Sequence, residues 1–289
     1  MIAPAFLAFE LLFSLVFIAC LVHAIRRSPA TMMELVFALL FGVLLEWMTI
    51  QQLQAYQYGQ FLLMIDGAPL CIGMGWAVII YSGMQLLESW QMPAFVRPFA
   101  VGFYALHLDL AMDAIAIRQG FWHWVIPLDS QWHGVPWGNF WAWFIVVSSY
   151  SGLLYWLRAR GCAQSNKGWL RWLYPLGALV GSVIILGATN AFFANVLASS
   201  EFDSALGLSL LLLLGAVMVY VTRPTVRPDQ HPDFVLLAVP LLTHLNTNIT
   251  GFAGGYYREI PVLMVVSLAM FAGGMGILLL PYLPKQESA

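Results

Sequence analysis

The chain contains nine apolar stretches in succession, each long enough to cross a bilayer as an α-helix. A hydrocarbon core of about 30 Å requires about 20 residues at about 1.5 Å per residue. Because only helices and closed barrels satisfy their backbone groups in lipid, the stretches predict an all-α, polytopic transmembrane helix bundle. We predict spans at residues 3–25, 31–53, 69–90, 98–117, 138–157, 172–197, 204–222, 234–252 and 260–281.

The composition supports membrane residence and excludes several classes of protein. Of the 289 residues, 61% are hydrophobic and 9% are charged, whereas soluble domains have about 25% charged residues. The formal net charge of −2 leaves no basic excess for phosphate contacts, so we expect no nucleic-acid partner. The cysteines, Cys20, Cys71 and Cys162, are far apart in sequence and predict neither a disulfide framework nor a cysteine metal site.

The basic residues predict the orientation of the spans. The first stretch lacks the features of a cleaved signal peptide and ends at Arg26 and Arg27, so we expect a retained helix. With the N-terminus outside, ten of the twelve Lys and Arg residues, including Lys285, fall on the inner side, and only Arg118 and Arg258 fall outside. This asymmetry follows the positive-inside rule. We predict a multi-pass protein of the cell inner membrane with a cytoplasmic C-terminus.

The loops predict a single integral membrane domain covering residues 1–289. They are short apart from residues 54–68, 118–137 and 158–171, which leaves no room for a separate soluble domain. The eighth span is the least regular, because several polar residues interrupt its apolar run: His244, Asn246, Thr247, Asn248 and Thr250. A bundle of eight spans is therefore the alternative.

Three carboxyl groups lie well inside predicted spans, away from the span ends and at similar depths. Glu46 lies in the second span, and Asp109 and Asp113 lie in the fourth. A charged side chain near the bilayer centre costs at least about 2.5–3.5 kcal/mol, so intramembrane carboxylates indicate a functional site. The two aspartates are four residues apart and share one helix face, which must face protein rather than lipid.

Further polar residues in other spans reach a similar depth. They are Asn139, Asn190, His244 and Asn248. Five predicted spans thus bring polar groups to one level, as a single buried site would require. The alternative is that these groups only hydrogen-bond neighbouring helices.

Half of the tryptophans lie in the segment of residues 120–143. The segment contains six of the twelve: Trp122, Trp124, Trp132, Trp137, Trp141 and Trp143. Tryptophan belts are ordinary at membrane interfaces, but this segment also connects Asp113 to Asn139. Because electron-rich rings attract cations, it suits a reaction that passes through a carbocation.

Other chemistries have weaker support. His107, His123, His133 and His244 could supply metal ligands, but the sequence has no HxxxH, HxxE or ExxH cluster. We therefore predict neither a metal site nor a cofactor. A glycine-rich phosphate loop and a GxSxG motif are also absent from the sequence, so the hydrolase and nucleotide-binding classes are disfavoured.

A set of motifs covers residues 40–156. They are Glu46, Gly67-Ala68-Pro69, Gly75-Trp76 with Tyr81, the stretch from Leu108 to Asp113, the stretch from Gly120 to Trp124 and the stretch from Gly134 to Trp143. In kind and order they resemble the membrane-embedded carotenoid biosynthesis proteins, which include carotenoid 1,2-hydratases of the bacterioruberin and γ-carotene type. Two positions depart from the family pattern, because Ala114 replaces a proline and Ala142 replaces a glycine. The departures suggest a divergent branch with a different substrate.

The resemblance implies an enzyme that acts on a lipid-soluble polyene or isoprenoid, in contact with membrane lipid. It would protonate a terminal C=C of an acyclic carotenoid, and water would capture the tertiary cation. Two carboxyl groups one turn apart in a low-dielectric site do not both ionise readily, so one can hold the proton. Because the substrate dissolves in lipid, we expect it to reach the site laterally.

Roles for individual residues follow from the same resemblance. We expect Asp113 to donate the proton with Asp109 as its partner, while Glu46 or His244 positions the water. The remaining predicted site residues are expected to stabilise the cation or contact the substrate: Trp122, Trp124, Trp137, Asn139, Trp141, Asn190 and Asn248.

Several alternatives stay open at this point. Cyclisation or isomerisation would use the same acid and the same aromatic wall. A proton-coupled transporter or channel would use the aspartate pair as a relay, and the interrupted eighth span and residues 251–255 would favour it. A non-catalytic pigment-binding or assembly protein is the third class.

Overall fold

The computed structural model describes residues 2–54, 56–165, 167–227 and 230–283, without the side chains of Gln52 and Leu53. Within these residues, nine helices are long and apolar enough to cross a membrane. They are α1 (Pro4–Arg27), α2 (Pro29–Met48), α3 (Leu70–Leu86), α4 (Arg97–Arg118), α5 (Trp137–Ala159), α6 (Gly168–Phe192), α7 (Glu201–Val221), α8 (Phe234–Ala253) and α10 (Pro261–Leu279). The predicted all-α bundle of nine spans is confirmed. The orientation stays a prediction, and Lys285 lies outside the described residues.

Local sequence signals explain where several helices begin. Proline occupies the first turn of α1, α2, α4 and α10, where its missing N–H costs no hydrogen bond. The hydroxyl of Ser28 caps α2 by accepting from the Thr31 amide at 3.0 Å. The Asp233 carboxylate caps α8 by accepting from the amides of Val235 and Leu236.

Two of the helices continue into π-helical turns, a feature that is frequent at functional sites. The turn Thr49–Leu53 continues α2, and the turn Phe193–Leu197 continues α6. The single-turn helix α9 (Tyr256–Glu259) connects α8 to α10. Three-residue 3-10 turns follow α3, α5 and α10 at Leu87–Ser89, Cys162–Gln164 and Leu280–Tyr282.

The loops form three two-stranded antiparallel ribbons. They pair β1 (Tyr56–Tyr58) with β5 (Trp122–Trp124), β2 (Met64–Ile65) with β3 (Ala68–Pro69), and β4 (Trp90–Gln91) with β6 (Thr225–Val226). The turn between β2 and β3 places Asp66 and Gly67 at positive φ, a conformation typical of tight hairpins. The ribbon of β1 and β5 joins two loops that are far apart in sequence.

The bundle has a central pair of helices and a lipid-facing periphery. The α3 and α4 spans are the most buried of the nine, whereas α6, α7 and α10 are the least buried. Bulky apolar side chains cover the outer helix faces, such as Leu11, Leu15 and Ile18 on α1. These exposed apolar side chains would contact lipid, which is favourable in a membrane. The residues that are buried in the bundle are therefore the ones that face protein.

The eighth span is unbroken, and the expectation of an interruption at its polar residues is wrong. Thr243 and His244 are buried against the bundle, and the Thr243 hydroxyl donates to the carbonyl of Val239 at 2.8 Å. The outer face of α8 remains apolar, with Ile249 exposed to 65%. The chain turns only after Ala253, through Gly255 at φ +75°. Within the described residues, the alternative of eight spans is removed, and the polar residues of α8 do not break the helix.

An ion pair holds α2, α5 and α6 together near the end of the bundle opposite the tryptophan segment. Arg158 donates from Nε to Glu34 Oε1 at 2.6 Å, and its second contact to Glu34 comes from Nη2. The Tyr174 hydroxyl also donates to this carboxylate. Glu34 is buried, so its charge depends on these partners.

Candidate active site

A cavity of about 790 Å³ lies between helices α1 to α6 and the β1–β5 ribbon. Its wall is mostly apolar, which is typical of pockets that bind small molecules. Seven of the predicted site residues line it: Glu46, Asp109, Asp113, Trp122, Trp124, Asn139 and Asn190. The sequence therefore identified carboxylates on two spans that face one common space.

The aspartate pair is bridged by one amide. Asn139 Nδ2 donates to Asp113 Oδ2 at 2.6 Å and to Asp109 Oδ2 at 3.0 Å. Asp113 is 2% exposed and Asp109 is fully buried, and both residues line the cavity. Asp109 Oδ1 is buried and has no hydrogen-bond partner among the described residues. Asn139 thus fixes both carboxyl groups and leaves one oxygen of the pair without a donor.

Two tryptophans from β5 stand beside Asp113. The Trp122 indole N–H donates to Asp113 Oδ1 at 2.5 Å. The Trp124 indole N–H lies within electrostatic reach of the same carboxyl, but its geometry is not that of a hydrogen bond. Both rings line the cavity. The predicted link between the tryptophan segment and the aspartates is therefore a direct contact.

Glu46 is held by three donors on the other wall of the cavity. Trp76 Nε1 donates to Glu46 Oε1 at 2.6 Å, and Tyr58 donates to Oε2 at 2.7 Å. The Tyr56 hydroxyl donates to the same Oε2. Glu46 is 4% exposed, and three donors are the kind of partners that a buried carboxylate anion needs.

The sequence interpretation did not include Tyr56 and Tyr58. The β1–β5 ribbon positions them, because Tyr56 pairs with Trp124 and Tyr58 pairs with Trp122. Burial raises the pKa of both hydroxyls well above its usual value, and the Glu46 carboxylate raises it further. Both hydroxyls therefore stay protonated at neutral pH and remain donors.

Alternation along the ribbon gives a sequence signal for this arrangement. Tyr-Gln-Tyr and Trp-His-Trp each place aromatic residues on one face, while Gln57 and His123 are exposed on the other. The ribbon thus couples the Glu46 donors to the aromatic residues beside Asp113. Two matching three-residue patterns could have indicated the pairing.

A tryptophan pair from α3 and α5 completes the aromatic wall. The rings of Trp76 and Trp143 have centroids 4.0 Å apart at an interplanar angle of 32°, and both line the cavity. Trp76 therefore contacts Glu46 through its N–H and the cavity through its ring. The cavity has aromatic faces beside each of its carboxyl sites.

Two predicted residues on α8 lie away from the cavity, so their expected place in the common site is wrong. The His244 ring packs 5.1 Å from the ring of His107 and 5.3 Å from that of Phe271. Asn248 accepts a hydrogen bond from the Tyr257 hydroxyl at 3.1 Å. Two residues at the same depth in the membrane need not face each other, because depth does not determine the direction in which each side chain points from its helix.

Two predicted tryptophans on α5 also lie off the cavity wall. Trp141 is buried against Phe193 at 5.1 Å, and Trp137 packs near Phe140 at 6.2 Å. The residues of α5 that line the cavity include Asn139, Ala142, Trp143 and Val146. Their spacing of i, i+3, i+4 and i+7 describes one helix face, and Trp141 lies on the opposite face.

The sequence model of the carotenoid biosynthesis protein family matches residues 6–215. This range is well over half of the 289 residues. The chain belongs to the carotenoid biosynthesis protein family. No curated protein and no solved structure gives a significant match to it. Family membership gives the chain a carotenoid-related function in the membrane and implies a lipid-soluble isoprenoid substrate.

The cavity belongs entirely to the part of the chain that matches the carotenoid biosynthesis family. Its lining extends from Phe9 to Asn195, whereas α8, with His244 and Asn248, follows the matched range. Of the two departures from the family pattern, Ala142 lines the cavity and Ala114 does not. The extra methyl group of Ala142 thus belongs to a residue of the cavity wall.

The two carboxyl environments of this carotenoid biosynthesis protein differ in chemistry. The Asp109–Asp113 pair has fewer donors than two anions require, while Glu46 has three donors to itself. Such contrasting environments assign acid and base roles to neighbouring carboxyl groups in enzymes. In the described residues, no group of three or more His, Cys, Asp or Glu side chains is arranged to hold a metal ion.

Proposed function

We propose that the chain is a carotenoid-modifying enzyme that adds water across a terminal C=C of an acyclic carotenoid end group. The observation that carries this proposal is the aspartate pair, bridged by Asn139, which lines the same aromatic cavity as the triply hydrogen-bonded Glu46. The cavity thus offers an acid, a base and a cation-stabilising wall. Its mostly apolar lining suits a polyene end group.

Asp113 is the proton donor in this mechanism. It is the less deeply buried member of the pair, with 2% exposure against 0% for Asp109, and Trp122 and Asn139 fix its two oxygens. Asp109 is a positioning residue behind it, because one shared charge on the pair keeps a proton available. An alkene is a weak base, so the donor must be fixed in direct contact with the reacting carbon.

The cation forms beside the tryptophan rings. Trp122, Trp124, Trp76 and Trp143 line the cavity, and electron-rich ring faces attract a cation by about 0.5–2 kcal/mol each. The mostly apolar wall also limits the number of water molecules near the cation. One water, positioned by Glu46, is sufficient for the reaction.

The bonds and protons balance without a cofactor. The Asp113 proton forms a C–H bond at the less substituted alkene carbon as the π bond breaks, and the positive charge resides on the tertiary carbon. A water oxygen forms the C–O bond to that carbon and releases one proton to Glu46. That proton returns to the aspartate pair between turnovers, so the sum is the addition of one water.

Expression in cells that make acyclic carotenoids tests the proposal. We expect a product heavier by one water. Membranes assayed in D₂O and in ¹⁸O-labelled water should give one deuterium on the carbon beside the hydroxyl-bearing carbon and one ¹⁸O in the hydroxyl group. An isomer without a mass gain would instead indicate cyclisation or isomerisation. A co-purifying, chemically unchanged polyene would indicate pigment binding, and either result would contradict hydration.

A further inference from the structure

The outer face of α6 changes character along its length. Val180 and Ile184 are 50% and 66% exposed, and they define a lipid-facing stripe that continues at i+3 and i+4 spacing through Gly187, Ala191 and Ala194. These last three residues are exposed as well. The stripe therefore changes from bulky to small side chains while it still faces outward.

The small half of this stripe also lines the cavity. Gly187, Ala191 and Ala194 belong to the cavity wall, whereas Val180 and Ile184 do not. A Cβ atom built on Gly187 has no atom within 4 Å, so open space lies directly in front of it. By contrast, a Cβ on Gly181 would lie 2.7 Å from Leu153 Cδ1, which shows where α6 packs against α5.

The end of α2 also contributes to the cavity wall. Leu45, Met48 and Thr49 line the cavity, and they lie in the same turns as Glu46. One cavity is therefore lined by the carboxyl residues, by the end of α2 and by the small residues of α6, and we call its part between the last two the gap between α2 and α6. The wall of this space includes Asp109, whose buried Oδ1 has no hydrogen-bond partner among the described residues.

We propose that the gap between α2 and α6 is a lateral portal for a long polyene chain. The end group enters through it to Asp113, and the rest of the polyene stays between the two helices and in the bilayer. Gly187 sets the width of the portal. This inference rests on the proposed function, because it identifies how the substrate of that same site is bound.

A lateral portal suits the length and the solubility of a polyene. A rigid polyene is far longer than its end group, so it cannot bend into a compact chamber and must pass through an opening. Each apolar carbon that stays in lipid or against apolar protein avoids the hydration cost of about 0.8 kcal/mol per CH₂. A lipid-side opening beside Glu46 meets both conditions.

Gly187→Phe and Ala191→Phe test the portal, with Gly276→Phe as the matched control. Gly276 also has no atom within 4 Å of a built Cβ and is exposed on α10, far from the cavity lining. Each variant is assayed with a full-length acyclic carotenoid and with a short alkene that carries the same end group. Polyene binding is measured separately, in nanodiscs, by quenching of tryptophan fluorescence.

We expect polyene turnover and the rate of polyene binding to fall by about tenfold or more in the portal variants. Their turnover of the short alkene should stay within about twofold of wild type. The Gly276→Phe protein should stay within about twofold of wild type for both substrates. Unchanged polyene binding and turnover in Gly187→Phe would overturn the portal, as would an equal loss for both substrates. The binding measurement separates the two proposals. If the wild-type protein binds polyene without hydrating it, the hydration proposal fails, and the Gly187→Phe binding rate still decides the portal.

Discussion

The Trp122 indole N–H donates to Oδ1 of Asp113 at 2.5 Å, while the Trp122 ring lines the cavity. One side chain therefore orients the proposed proton donor and provides a face for the cation that the donor creates. The two roles use different parts of the residue, the N–H and the ring. They are separable by substitution.

Trp122→Phe keeps an aromatic face and removes the N–H donor. The Asp113 carboxyl becomes an anion as it gives up its proton, and a hydrogen bond to a charged group contributes about 1.5–3 kcal/mol, so we expect hydration to slow by about 10- to 100-fold. Trp124→Phe should give a smaller loss, since the Trp124 N–H makes no hydrogen bond. Equal losses in the two variants, measured as initial rates in membranes, would contradict the positioning role of Trp122.

Tyr56→Phe and Tyr58→Phe each remove one of the donors to Glu46. The buried Glu46 carboxylate then has one fewer hydrogen bond to stabilise its charge, so we expect each variant to lower the hydration rate by about tenfold. Tyr220→Phe is the matched control, because Tyr220 is 81% exposed on α7. If both single variants hydrate as fast as the Tyr220→Phe protein, Glu46 does not act as a positioned anion.

His244→Phe should leave hydration within about twofold of wild type. His244 packs against His107 and Phe271, away from the cavity, and neither of its ring nitrogens has a partner among the described residues. Replacing a buried, unsatisfied polar ring with an apolar ring removes a desolvation cost. We therefore expect a melting temperature in detergent that is equal or higher. A large loss of activity in a stable variant would return His244 to the mechanism.

Arg158→Met should destabilise the bundle by about 3–5 kcal/mol, because it leaves the buried Glu34 carboxylate without its charged partner. The double variant Glu34→Gln with Arg158→Met should recover most of this loss. Equilibrium unfolding in mixed micelles measures both values. A double variant that is no more stable than Arg158→Met would show that packing, rather than the uncompensated charge, causes the effect.

The helices were predictable because lipid imposes a uniform length and polarity on every span. The prediction of α8 as a span is confirmed, but its polar residues do not interrupt the helix as the transporter alternative assumed. In the structure Thr243 and His244 face the bundle while Ile249 faces outward. Mean apolarity over a window does not distinguish polar residues on a buried face from polar residues that interrupt a helix.

The site was predictable where residues share one helix or adjoin it directly. That Asp109 and Asp113 line one cavity follows from their spacing on one helix face. Trp141 was misplaced although the Asn139 face of α5 could have excluded it by periodicity. Tyr56 and Tyr58 were missed because the paired strands are only three residues long and lie more than 60 residues apart, so the alternation that they share is a weak signal.

The rate of Asp113→Asn tests the central claim most directly. Asparagine keeps the shape of the side chain but cannot donate the proton, so we expect hydration of an acyclic carotenoid to fall by about 10²- to 10⁴-fold. Asp66→Asn is the matched control, because Asp66 is exposed in the β2–β3 turn and should keep wild-type activity. If the Asp113→Asn protein, inserted at normal levels, forms the hydrated product as fast as Asp66→Asn, Asp113 is not the proton donor.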